Sequence, residues 1–153
     1  MQPGTDNALR TRVYIDGYNL YYGCLKNSPD KWLDVRALIE RILSTILFEQ
    51  DGKPIRFAFQ TPAVKYFTAP ILKTFAKSDD SVSCQYQYHA ALCAHLDGAV
   101  EIIKGYYDAK PARAHVWEEG KSARECRAID IWKLEEKQSD VAFALNAFSD
   151  AVS

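Results

Sequence analysis

Two acidic points in this chain stand where a carboxylate can be held ready for a cation: Asp16, in Arg12-Val13-Tyr14-Ile15-Asp16-Gly17-Tyr18-Asn19, and Asp140, in Glu135-Glu136-Lys137-Gln138-Ser139-Asp140. Asp16 closes a short β-branched and aromatic run, and Gly17 lets the backbone turn there. The carboxylate and the Asn19 amide can then face one cleft. In open α/β sheets ligands bind outside the carboxyl ends of the strands, which is where Asp16 falls. Asp140 falls in the first turn of a helix, where the macrodipole stabilises negative charge. A hard divalent cation takes carboxylate oxygens and activates water beside a phosphoryl group. An Asp-Gly turn after a strand and an acidic first helical turn are also ordinary structural features, and spacing alone leaves both readings open.

Other residue types point less sharply. Tyr18, Tyr21, Tyr22, Tyr106 and Tyr107 near strand ends can stack on unpaired bases, or simply pack. Lys104, Lys110, Arg113, Lys121, Arg124 and Arg127 can track a phosphate backbone, although Asp108, Glu118, Glu119 and Glu125 are interspersed, as on a solvated charged face. His89, His95 and His115 share no metal-ligand spacing, and the four cysteines form no CxxC pair. Cys24, Cys84, Cys93 and Cys126 therefore read as reduced core residues.

The elements that must position these groups alternate. A polar leader with Pro3 and Gly4, residues 1–11, precedes a first strand over Arg12–Asp16, and residues 12–153 form one domain. Asp34 caps a helix carrying Leu38, Ile39, Ile42 and Ile46 at helical spacing. The turn Asp51-Gly52-Lys53-Pro54 leads to a strand over Ile55–Gln60, which Pro62 closes. A second helix runs from Ser78 or Asp79 to Leu96, with Asp97-Gly98 as its stop. A third strand covers Val100–Tyr107, and Ala114–Trp117 and Ala128–Leu134 read as a hairpin. Ser139 caps a last helix with Val141, Leu145, Phe148 and Val152 on one apolar stripe. This order argues for a mostly parallel α/β sheet with helices on both faces.

The totals set limits. A chain of 153 residues is long enough for one packed core, and 48% apolar with 25% charged residues is ordinary globular composition. A formal charge of -1 supplies no bulk field for nucleic acid, so any such contact needs a local patch. No apolar run approaches the ~20 residues of a membrane helix, and no secretory leader is present, so a cytoplasmic protein without a membrane partner is expected.

The opening run Val13-Tyr14-Ile15-Asp16-Gly17-Tyr18-Asn19-Leu20-Tyr21-Tyr22-Gly23 resembles the first motif of the NYN branch of PIN-like nucleases. Lys133-Leu134-Glu135-Glu136-Lys137-Gln138-Ser139-Asp140-Val141 is similar to that family's second acidic motif, with Lys31-Trp32-Leu33-Asp34 and Lys65-Tyr66-Phe67-Thr68 between them in order. The resemblance implies a PIN-like fold and a metal-dependent endoribonuclease acting on single-stranded RNA. Asp16 and Asp140 would be its catalytic ligands for Mg²⁺ or Mn²⁺, and Tyr18, Asn19, Lys104, Arg113 and Lys137 would bind the substrate. Two departures accompany it: Asn146 stands where many members have another Asp, and no Ser-Gly-Asp-Ser-Asp-like motif follows the last helix. The domain is thus expected to be incomplete, with weak or absent activity and an exposed surface that a second copy or a partner strand completes. The alternatives are a non-catalytic module of the same descent that binds RNA or protein, and a phosphohydrolase with Asp16 as nucleophile. The last ranks lowest because Tyr18 stands where its second Asp would be.

Overall fold

The computed structural model describes residues 8–46, 49–50 and 52–152. In chain order the elements are β1 (Ala8–Asp16), α1 (Gly17–Leu20), which runs into a wide turn over Tyr21–Leu25, α2 (Val35–Thr45), β2 (Glu49–Gln50), β3 (Lys53–Pro54), β4 (Arg56–Thr68), α3 (Asp79–Leu96), β5 (Val100–Lys104), β6 (Tyr106–His115), β7 (Ala128–Lys137) and α4 (Ser139–Ala151). The first seven residues of the expected leader, and Asp51 of the expected turn, lie outside the described residues. Residues 8–11 of that leader are strand, so β1 begins four residues before the apolar pattern does.

The α/β expectation holds. β4 lies between β1 and β5 in a parallel three-stranded sheet. Side chains alternate across a strand. Ile15, Val64 and Tyr66 therefore enter one core with Val35 of α2, Leu92 and Leu96 of α3, and Val100. Tyr14, Lys65 and Phe67, the intervening residues, meet α4 on the other face. Val35, Val64 and Phe67 are fully enclosed, and burying each such side chain stabilises the fold by about 1.5–3 kcal/mol.

Asp34 caps α2 as expected: its Oδ1 accepts from the Arg36 and Ala37 backbone amides, both at 3.0 Å. α3 also has its expected limits, with Gly98 in the left-handed region at φ 76°. Three expectations change. Pro62 does not close its strand, because β4 runs on to Thr68. The register jumps between Thr11 and Val13 opposite this stretch, and Arg12 donates to the freed carbonyls of Thr61 at 3.2 Å and Pro62 at 3.0 Å. A bulge is one of the few places where a strand tolerates proline. The third strand breaks at Gly105, so Tyr106 and Tyr107 open β6 instead.

The third change is that β6 spans ten residues and pairs antiparallel with β7 along its full length, far longer than the expected hairpin. α4 is present as expected, with an orientation that its stripe left open. Its apolar stripe faces away from the sheet: Val141, Leu145, Phe148 and Val152 are each at least 63% exposed. The sheet-facing residues are Phe143, Asn146 and Asp150. Phe143 packs against Tyr14 and Phe67. Lys65 Nζ donates to Asn146 Oδ1 at 2.9 Å. Asp150 accepts from the Tyr14 hydroxyl at 2.6 Å and pairs with Arg12 at 2.8 Å and Lys65 at 2.7 Å. A shielded charged group must be paired, and this cluster satisfies that rule by turning a polar face of α4 inward. Of the four cysteines, only Cys126 is buried; Cys24, Cys84 and Cys93 are exposed, contrary to the core expectation.

Candidate functional site

Asp16 ends β1 on the same side of the sheet as Tyr14, the side that α4 covers. It caps α1, and both its oxygens are held by one residue: Asn19 N–H donates to Oδ1 at 2.9 Å and Asn19 Nδ2 to Oδ2 at 2.6 Å. The tight exit from β1 depends on Gly17. A Cβ there would stand 2.5 Å from the Tyr66 ring and 2.8 Å from the Phe67 carbonyl oxygen. Glycine is thus required by close approach. The ring it abuts, Tyr66, has its hydroxyl pKa pushed up to about 12, chiefly by burial and secondarily by the Asp16 charge.

Asp140 reaches the same place from the other direction. β7 ends at Lys137, Gln138 takes the left-handed conformation at φ 72°, and α4 starts at Ser139. The expected Ser139 cap is absent: Gln138 occupies the capping position, and the Ser139 hydroxyl is buried without a partner among the described residues. Asp16, Tyr18, Asn19 and Asp140 line one cleft together with Tyr22, Tyr107, Leu134 and Glu136. Its volume, about 390 Å³, is that of a site for a small organic molecule.

The walls are aromatic and the polar groups acidic. The Tyr18 and Tyr22 rings lie 4.5 Å apart, centroid to centroid. Tyr107 has its hydroxyl pKa raised by burial first, then by the charge of Glu136. Burial also raises that of Tyr22. The Tyr22 and Tyr107 phenols are therefore neutral hydrogen-bonding groups at physiological pH. Glu136 and Asp140 make no hydrogen bond or ion pair among the described residues, in contrast to Asp16. Glu136 and Leu134 were not singled out from the sequence. The signal was the alternation of β7, whose even-numbered residues face the cleft once Asp140 is taken as part of it.

The three basic residues expected at the site do not line this cleft. Lys137 projects from the opposite face of β7, where it pairs with Glu135 at 2.7 Å. Lys133 and Lys110 join the same carboxylate, and the three ammonium groups, Lys133 foremost, draw the Glu135 pKa down to about 2. Lys104 ends β5, where its charge, after burial, helps to lower the His89 pKa. Arg113 lies on the distal half of β6 opposite Asp130. The histidines have partners of their own: His95 pairs with Asp34 at 2.9 Å, His115 meets the Cys126 carbonyl at 3.2 Å, and His89 packs on Tyr66. Among the described residues no three His, Cys, Asp or Glu side chains converge as a metal-holding set, and no helix is long and apolar enough to cross a membrane.

No family model matches the chain, and no solved structure matches it. Among curated proteins it is similar to the 6-hydroxy-3-succinoylpyridine 3-monooxygenase HspA of Pseudomonas putida (strain DSM 28022 / S16), with 47% identity over 151 residues. The match covers 95% of this chain and 48% of the relative, so the chain spans about half the length of the curated relative it matches. That finding overturns the endoribonuclease expectation, because the relative is named for the oxygenation of a pyridine and not for phosphodiester hydrolysis. The Mg²⁺ or Mn²⁺ expectation falls with it: Asp16 and Asp140 do share a cleft, but a carboxylate pair in a tyrosine-walled pocket also suits a neutral ring with hydrogen-bond donors, and such a ring is what the relative's name describes.

Proposed function

We propose that this chain is an NYN-like, PIN-type α/β module that takes part in the monooxygenation of a hydroxylated pyridine, with the cleft between β1, β7 and α4 as the seat of the ring. The 47% identity to the P. putida monooxygenase over nearly the whole chain carries this reading. The cleft supports it chemically. Tyr18, Tyr22 and Tyr107 offer ring surfaces to a flat heterocycle, for which offset or edge contacts each contribute about 0.5–1.5 kcal/mol beyond burial. The acidic rim accepts hydrogen bonds from a ring hydroxyl or ring N–H.

In the reaction named for the relative, the hydroxyl at ring position 6 stands para to position 3. Taking its proton therefore raises electron density at that carbon, which already carries the succinoyl group, so the new C–O bond forms there as the ring–acyl bond breaks and water takes up the acyl carbon as a carboxylic acid. Glu136 and Asp140, the two cleft carboxylates without a partner among the described residues, are the proton acceptors in this reading, while Asp16 is fixed by Asn19 and shapes the floor. A base must be within hydrogen-bond reach of the proton it removes, and both acids line the cavity with the tyrosines. The succinoyl carboxylate would be repelled by three acids, so the ring enters first and the tail points to solvent.

Monooxygenation places one atom of dioxygen in the substrate and releases the other as water, using two electrons and two protons from a reductant such as a reduced flavin or nicotinamide. The described cleft does not fit the phosphates of such a cofactor, since Asp16, Glu136 and Asp140 all repel them. The cleft residues therefore act on the pyridine alone, by stacking on it and by accepting its proton. The test is a chimera in which this chain replaces the matched part of the P. putida protein, supplied with 6-hydroxy-3-succinoylpyridine, a reductant and isotope-labelled dioxygen. One labelled atom per product molecule is expected, with a loss of at least tenfold in turnover for Glu136→Gln or Asp140→Asn. A folded chimera that binds no pyridine and incorporates no label would refute the reading.

A further inference from the structure

The four outward residues of α4 form a continuous apolar stripe on a helix whose opposite face is tightly tied to the sheet. Val141, Leu145, Phe148 and Val152 are 63%, 63%, 69% and 68% exposed. Asp150, Asn146 and Phe143 hold the helix in place through Arg12, Lys65, Tyr14 and Phe67. The stripe is therefore presented by a fixed helix, and contiguous apolar surface of this kind marks an interaction site. The match to the P. putida monooxygenase covers 95% of this chain, which carries it into α4 whichever end is left out, while 52% of that relative lies outside the match.

We propose that the outward face of α4 is the docking surface for polypeptide corresponding to the part of the P. putida relative that lies outside the match, presented as an apolar helix or strand face. Area favours this occupant over a second copy. At those exposures the four side chains offer on the order of 450 Å², about half of the ~800 Å² per partner that a stable interface between free proteins buries. A segment joined to the same chain needs less, because tethering raises its effective concentration. The proposal does not rest on the chemistry of the cleft and survives if that chemistry is wrong.

The test compares this chain alone with the same chimera. Phe148 should be oxidised by hydroxyl radicals at least fivefold more slowly in the chimera. The double variant Leu145→Asp, Phe148→Asp should lower the thermal midpoint of the chimera by several degrees and leave that of the free chain unmoved, since both side chains are exposed there. Equal oxidation rates, or equal thermal shifts, would overturn the proposal. So would a chimera that fails to fold although both parents fold. A free chain that sediments as a dimer, and becomes a monomer on Leu145→Asp, would assign the face to a second copy instead.

Discussion

At the residue scale, the cleft depends on a few side chains whose roles separate by their partners. Asn19 satisfies Asp16 Oδ1 through its backbone N–H and Oδ2 through its side chain, so Asn19→Ala frees Oδ2 without opening a core cavity. Pyridine affinity should fall several-fold with little change in the thermal midpoint, as isothermal titration and a melt can show. Gly17→Ala places a Cβ against Tyr66 and the Phe67 carbonyl. Overpacking of this kind costs about 1–3 kcal/mol, and the thermal midpoint should drop by roughly 2–4 °C for each kcal/mol in a domain of this size.

Asp150 carries the pH argument. Lys65 first, then Tyr14 and Arg12, hold its carboxyl below the ordinary aspartate range. A depressed folded-state pKa contributes stability that is fully present above the unfolded value, about 3.9, and is lost as pH falls through the folded one. Asp150→Asn should therefore lower the urea midpoint at pH 7 and narrow the gap to the parent progressively below pH ~4. A constant gap across that range would contradict the assignment.

At the element scale, Asp34 and Gly105 mark the two places where a single residue sets the position of a whole segment. Asp34→Ala removes the cap of α2 and the partner of His95. Loss of an N-cap costs roughly 1 kcal/mol, to be read as a small drop in the denaturant midpoint with an unchanged slope. Gly105 lies at the root of the β6–β7 ribbon. A Cβ there would meet the Lys137 carbonyl at 2.5 Å and the Ser139 hydroxyl at 2.6 Å. Gly105→Ala should displace the ribbon from α4, so ligand affinity should suffer more than global stability.

The elements also show how far the chain was legible. α2 and α3 could be read because cap, periodicity and stop agree. β6 could not: Lys110, Pro111 and Arg113 break any apolar alternation, and a ribbon that faces solvent needs none. α4 was found, but which of its faces meets the sheet was left open. Apolar spacing names a buried stripe only when no charged cluster competes, and Arg12 with Lys65 draws Asn146 and Asp150 inward instead. Pro62 misled for a related reason, since a bulge with side-chain donors lets a strand pass a proline.

At the scale of the whole molecule, a parallel three-stranded sheet and the antiparallel β6–β7 ribbon bring the ends of β1 and β7 and the start of α4 to one acidic, tyrosine-walled cleft. The meeting of Asp16 and Asp140 was readable from the two motif-like runs, because both fall at strand-to-helix junctions. The chemistry was not readable. Carboxylates at strand ends serve a cation or a ring hydroxyl equally well, and the wall that separates these cases is completed by Tyr107 and Leu134, whose ribbon was misplaced along the chain.

The most direct test is amide chemical-shift mapping of the isotope-labelled chain titrated with 6-hydroxy-3-succinoylpyridine. Saturable shifts confined to Asp16, Tyr18, Asn19, Tyr22, Tyr107, Glu136 and Asp140, and abolished by Tyr107→Ala, are the predicted result. Shifts that do not saturate, or that centre on the Arg10 and Arg12 end of β1, would contradict it.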